Sequence, residues 1–197
     1  MVSRENVERC KKKFRNMNKE LNNLLNHSFN MEEVKSSTAF SKFMPENVVL
    51  VISVDNNGKP SGMTAGWIMK CSSDPPMLAI TLSKSGYTHK LIKESKEFVI
   101  AIPNKGLEEE LLYFGQTHGD KVDKFKKTGI ETSKSKFIQT PLIKNATINF
   151  ECKLEKEVDC EKETIFIGRV LASYINKDKK VLINMKGIDG KWSFEEF

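Results

Sequence analysis

The chain is poor in the residues that build the commonest chemical sites. It has three histidines and four cysteines in 197 residues. Cys10, Cys71, Cys152 and Cys160 show no CxxC spacing and do not cluster with His27, His89 or His118, so a zinc site has no support and metal is set aside. Neither GxGxxG nor GxxxxGK[ST] occurs, which removes the dinucleotide and P-loop fingerprints. No HExxH, Ser-His-Asp order or carboxylate pair in an apolar setting points to hydrolysis. No unbroken apolar run is longer than that from Val48 to Ile52, far short of the ~20 residues a membrane helix needs, and the N-terminus has no apolar signal-like core. These absences make a cytoplasmic protein with free thiols the expectation, with no membrane partner. Eleven glycines, six prolines and 39% apolar residues exclude collagen-like and disordered chains, leaving a globular domain with a real core.

What is present in excess is positive charge, formally +6. Its position matters more than its size: the first twenty residues carry seven basic side chains against three acidic ones, so +4 of the total lies there. The same stretch places Val7, Cys10, Phe14, Met17, Leu21 and Leu24 at 3-4-3-4-3 spacing, an amphipathic helix with a basic outer face. Such a helix docks on its own domain or on a partner, or lies on a polyanion or membrane surface. Residues 1–38 are read as this extension and residues 39–197 as the main domain.

From Val48 the period changes. Val48 to Val54 is an apolar, β-rich run ending in Asp55-Asn56-Asn57-Gly58, a strand followed by a hairpin turn. Strands are expected over 62–71, 77–82, 98–102, 146–154 and 164–174, and helices around 87–94, 107–114 and 121–127. In 146–154 the even positions are apolar and the odd ones polar, which turns Cys152 inward. The charged segment after it, containing Cys160, reads as a loop. The pattern is mainly β with short helices, an antiparallel barrel rather than a parallel βαβ sheet.

Two segments could carry chemistry. Gly62-Met63-Thr64-Ala65-Gly66-Trp67 offers close backbone approach to a planar ligand and an indole to pack on it. Thr81 to Lys90 runs off a strand through Ser83, Lys84, Ser85 and Gly86 into a helix near Thr88, assembling hydroxyls, an ammonium and free N–H groups as a phosphate site would. The same Ser-x-Ser-Gly pattern also serves as a plain N-cap, and Trp67 also serves as core.

Val48-Val49-Leu50-Val51, Met63-Thr64-Ala65-Gly66-Trp67, Ser72-Ser73-Asp74-Pro75-Pro76-Met77, Tyr87-Thr88, Leu91 to Val99 and Gly119-Asp120-Lys121-Val122-Asp123-Lys124-Phe125 occur in succession. Pro141-Leu142-Ile143 and Glu151-Cys152-Lys153 follow. In this order the motifs resemble the flavin reductase-like family, in particular its flavoredoxin and archaeal-type ferric reductase branch. The resemblance implies a split β-barrel binding FMN non-covalently, a homodimer with flavin at or near the subunit interface, and NADH or NADPH as electron donor. Carried over by position, Met63, Thr64, Ala65 and Trp67 line the isoalloxazine. Ser83, Lys84, Tyr87 and Thr88 hold ribityl and phosphate, and Lys124 supplies a second cationic contact. His118 departs from the small hydroxyl residue common in relatives and either lines the site or sits on an exposed loop. The implied activity is an FMN-dependent NAD(P)H:flavin or ferric reductase passing electrons to a small acceptor. The alternatives are a flavoredoxin-like carrier serving a protein partner, or a non-catalytic flavin-binding or sensor module. A flavin-binding body close to neutral argues against nucleic acid as its ligand.

Overall fold

The computed structural model describes residues 4–27, 31–185 and 192–197. The chain divides into two compact units, Met1–Lys42 and Phe43–Phe197. The first contains α1 (Arg4–His27) and α2 (Ser36–Lys42). On α1 the described members of the apolar stripe, Phe14, Met17 and Leu21, are 64%, 55% and 56% exposed. The side chains of Val7, Cys10, Leu24 and His27 lie outside the described residues. Among the described residues no helix is long and apolar enough to cross a membrane.

The second unit begins with β1 (Glu46–Asn47), β2 (Val49–Val54), β3 (Pro60–Ala65), β4 (Ile68–Ser73), β5 (Pro76–Ser83), α3 (Tyr87–Ser95) and β6 (Glu97–Ile102). A 3-10 turn at Lys105–Leu107 then leads into α4 (Glu108–Gln116), α5 (Lys124–Thr128), β7 (Thr132–Ser133) and β8 (Leu142–Ile143). The long strands β9 (Ile148–Cys160) and β10 (Glu163–Ile175) follow, and then β11 (Leu182–Asn184) and β12 (Phe194–Glu196). Seven strands form one antiparallel sheet in the order β3-β2-β6-β9-β10-β5-β4. Its two edge strands, β3 and β4, are separated in sequence only by Gly66 and Trp67. That link spans about 10 Å at most, so the sheet must curl until its ends meet. The result is the split barrel that the mainly β reading expects.

β2 shows why its sequence is apolar without alternation. Val49 and Val51 join the core cluster containing Ile80, Phe98, Ile100 and Phe166. Val48, Leu50 and Ile52 face the other cluster, with Leu107, Leu111 and Phe114 beneath α4. Both faces are covered, and every β2 residue is buried.

Three expectations are corrected. The strand expected over 62–71 is two strands, broken at Gly66-Trp67 where the sheet turns its corner. A Cβ at Gly66 would lie 3.1 Å from both Asn47 O and Glu46 Cδ, so this corner is shaped for glycine. The charged segment with Cys160 is strand, not loop: β9 continues to Cys160 and turns within two residues, with Glu161 left-handed at φ 59°. Its charges pair with neighbouring elements, Glu155 with Arg169 at 2.6 Å and Glu157 with Lys96 at 2.9 Å. Finally, the odd positions of β9 do not all face water. Glu151 is fully buried, accepting from Lys136 N (2.7 Å), Phe137 N (2.8 Å) and Tyr174 Oη (2.6 Å). Asn149 is buried as well and bonds both Ile143 N and Ile143 O.

Candidate flavin site

The site grows from an edge strand and a helix start. Among the described residues β3 pairs only with β2 in the sheet order, so no strand covers its other edge. Gly62 O is turned to that edge, where it takes Lys124 Nζ at 2.8 Å. Backbone groups alternate sides along an antiparallel strand, so the N–H and C=O of Thr64 face the same way. The Thr64 hydroxyl is committed elsewhere, donating to Leu111 O at 2.5 Å and tying β3 to α4. Thr64 therefore offers its backbone to a ligand, not its side chain.

At the end of β5 the chain passes Ser83, whose C=O accepts from Gly86 N at 3.0 Å. Gly86 is extended at φ −75°, ψ 137° and caps α3 with no side-chain acceptor. The first-turn N–H groups of α3 thus lack the side chain that usually satisfies one of them, and an anion is favoured there. Ser83 Oγ and Ser85 Oγ lie 3.0 Å apart beside this helix start. Lys84 reaches the β9–β10 hairpin, where its ammonium meets Asp159 at 2.5 Å and holds that carboxyl below its usual pKa.

These pieces meet on one rim. A Cβ placed on Gly86 would stand 3.7 Å from Met63 Sδ, so β3 abuts the start of α3. The loop leading to α5 packs over both: a Cβ at Gly119 would overlap Ser61 Oγ and lie 3.1 Å from Tyr87 Cδ1. Only glycine lets this loop come so close. Ser61 Oγ itself is buried and meets no hydrogen-bond partner among the described residues. A buried orphan hydroxyl is costly, on the order of 1–3 kcal/mol, and marks a place that a polar ligand or water completes. The residues present therefore suit a planar, phosphorylated cofactor: open strand backbone, an uncapped helix start, neighbouring hydroxyls and an unfilled hydrogen-bonding position.

The structure thus gathers Met63, Thr64, Ser83, Tyr87 and Thr88 around one rim, with Ala65 continuing the same strand. Three expected residues are placed differently. Trp67 stands at the β3–β4 corner with 60% of its surface exposed, so it is not core. Lys84 is engaged with Asp159. Lys124 is buried, with its ammonium donating at 2.8 Å to both Gly62 O and Phe114 O and lying 5.4 Å from the Phe114 ring centre. It thereby joins β3 to the C-terminal turn of α4, where carbonyls lack helical partners. Burial pushes its pKa down to about 8, against a smaller opposing pull from Asp120.

His118 is exposed, and its C=O accepts from Lys121 N and Val122 N. His89 is buried, with Nε2 2.9 Å from Thr164 Oγ1 and its ring 4.9 Å from that of Phe166. Burial, then the nearby Lys93, lowers its pKa. Ser61 is the site residue that sequence reading missed. It lies just before the Gly62 segment, but nothing in a serine's neighbours along the chain announces that its hydroxyl is buried and unpaired.

The flavin reductase like domain matches residues 40–191, and the chain belongs to that family. An uncharacterized protein of Archaeoglobus fulgidus is 38% identical over 113 residues, covering 57% of this chain and 64% of that protein, so the match spans slightly under two thirds of the relative's length. A ferric-chelate reductase (NAD(P)H) of the same organism is 28% identical over 133 residues, 67% of this chain and 78% of that protein. Among solved structures, the flavoredoxin of Methanosarcina acetivorans superposes with a TM-score of 0.74 at 24% identity, covering 86% of this chain and 92% of that one. At that identity the likeness is one of fold.

Proposed function

We propose that the chain is an FMN-binding oxidoreductase that accepts hydride from NADH or NADPH and passes electrons to a small acceptor such as free flavin or a ferric chelate. The observation that carries this reading is the rim where the orphaned Ser61 hydroxyl, the open edge of β3 and the uncapped start of α3 converge, in a chain of the flavin reductase-like family. The name of the ferric-chelate reductase relative supports the choice of donor and acceptor.

When bound, FMN would supply the hydride and electron chemistry, and the protein's part is to hold, orient and tune. The α3 first-turn N–H groups and the hydroxyls of Ser83 and Thr88 would hold the phosphate, the Lys84 ammonium would join them by leaving Asp159, and Tyr87 would lie beside the ribityl chain. The Thr64 backbone would bond the edge of the ring system, with Met63 and Ala65 flanking it, and Trp67 would cover it. Lys124 fixes the strand rather than touching the ligand: it anchors Gly62, two residues before Thr64, and its buried positive charge favours negative charge nearby.

A second copy completes the reading. On the outer face of the barrel, Trp67, Met69 and Val158 are 60%, 62% and 44% exposed. The strand register sets Met69, Ala79 and Ile167 in one row and Thr81, Ile165 and Val158 in the next. A contiguous apolar face of this kind suits a homodimer whose contact borders the Trp67 corner.

Steady-state oxidation of NADH and NADPH by FMN-loaded protein, with ferric chelate or free flavin as acceptor, tests the activity. Turnover is expected with at least one donor. Negligible turnover together with rapid reduction by a partner protein would replace the enzyme by an electron carrier. Lys84→Ala and Thr88→Ala are expected to weaken FMN retention, and unchanged affinity in both would remove the phosphate assignment.

A further inference from the structure

α1 lies ahead of the matched family domain in the sequence. Its apolar positions alternate at spacings of three and four residues, which is the heptad pattern of a helix–helix seam. The described members of that stripe, Phe14, Met17 and Leu21, are all more than half exposed. Leaving such side chains in water forgoes the free energy that their burial would release. In heptad terms Val7, Phe14 and Leu21 occupy one seam position and Cys10, Met17 and Leu24 the other.

Orientation decides how two such helices fit. A parallel pair stacks each residue on its own copy, so a thin Cys10 layer precedes an overfilled Phe14 layer. An antiparallel pair centred between residues 14 and 17 sets Val7 against Leu24, Cys10 against Leu21 and Phe14 against Met17 of the second copy, and the layers are more even in volume. The flanking charges agree. Antiparallel pairing brings Lys13 beside Glu20 of the second copy, twice by symmetry, whereas parallel pairing places Lys13 beside Asn18 and Glu20 beside Leu25. Arg9, Lys12, Arg15 and Lys19 stay on the outer face in either case, so the basic surface remains in water. We infer that α1 pairs antiparallel with α1 of a second copy of this chain, with Phe14 and Met17 at the centre of the seam and Lys13–Glu20 ion pairs at its edges.

Cysteine cross-linking of the full chain tests this. With Cys71 and Cys160 changed to serine, Leu21→Cys creates a pair with Cys10. Within one helix these positions are about 16 Å apart, beyond disulfide reach, so a link between them joins two copies. Mild oxidation is expected to give a covalent dimer whose peptide map joins residues 10 and 21, while the same background with Leu21 intact stays uncross-linked. Val7→Cys with Leu24→Cys, in a Cys10→Ala version of that background, is expected to link 7 to 24 and guards against a seam weakened by the first variant. Links joining identical positions, or no dimer from either design, would overturn the inference. Lys13→Glu or Glu20→Lys alone is expected to lower the cross-linked fraction about five-fold, since two attractive pairs become repulsive, and the double exchange to restore it. A double exchange no better than the singles would also overturn it.

Discussion

Replacing Lys124 by methionine tests the most unusual group in the flavin rim. The wild-type ammonium is buried and donates to Gly62 O and Phe114 O, both at 2.8 Å. Its folded pKa is lowered from 10.5 to about 8, chiefly by desolvation, with Asp120 opposing. Between those two values the unfolded chain binds a proton that the folded chain does not, so the lysine's contribution to stability rises with pH through this window and is flat below and above it. A difference of about 2.5 pH units corresponds to on the order of 3 kcal/mol. The neutral amine keeps two N–H donors, so both carbonyls remain capped after deprotonation. Methionine keeps the length of the side chain but donates to neither. Urea unfolding of wild type and Lys124→Met at pH 7 and pH 10, followed by tryptophan fluorescence, isolates the effect because other titrating groups cancel between the two proteins. The stability gap is expected to shift in favour of wild type by roughly 2–3 kcal/mol at the higher pH. A gap equal at both pH values to within about 0.5 kcal/mol would refute the buried ammonium. The variant should also bind FMN more weakly, because the Gly62 end of the ligand-facing strand edge loses its anchor.

Other perturbations follow from the same geometry. Gly119→Ala drives a methyl group into Ser61 and Tyr87 and should weaken FMN binding about ten-fold while costing about 1–3 kcal/mol of stability, read by fluorescence titration and thermal unfolding. Glu151→Gln puts an amide NH₂ where a carboxylate accepts from two backbone N–H groups and a phenol, so a loss of about 2–4 kcal/mol is expected in urea unfolding. The bond to Glu151 raises the Tyr174 pKa, and ultraviolet titration of Glu151→Gln should show that phenol ionising at lower pH than in wild type.

Much of this architecture is legible in the chain. The apolar run of β2, the Asp55–Gly58 turn, the strand–serine–helix passage at residues 81–90 and the heptad-spaced stripe of α1 are local patterns that local physics explains. What escapes is set by tertiary context. The Gly66-Trp67 corner interrupts a run that reads as one strand because the break is imposed by closure of the sheet. The distal half of β9 looks like a loop because its residues extend where both faces meet water, leaving no alternation to detect. Glu151 and Asn149 read as solvent-facing by period, yet Lys136, Phe137 and Ile143, six to fifteen positions earlier, fold back to supply their donors and acceptors. Lys124 reads as a free cation because nothing in Asp123-Lys124-Phe125 reveals that two carbonyls, ten and sixty-two residues away, await it.

The central claim is that the rim formed by Ser61 to Ala65, Ser83 to Thr88 and the Gly119 loop is a flavin site. Titration of the purified chain with FMN, followed by quenching of flavin fluorescence and by the visible spectrum of the complex, tests it directly. Saturation at one FMN per chain, with affinity reduced by Gly119→Ala, is the predicted result. A folded protein that stays colourless and leaves FMN fluorescence unchanged would contradict the account.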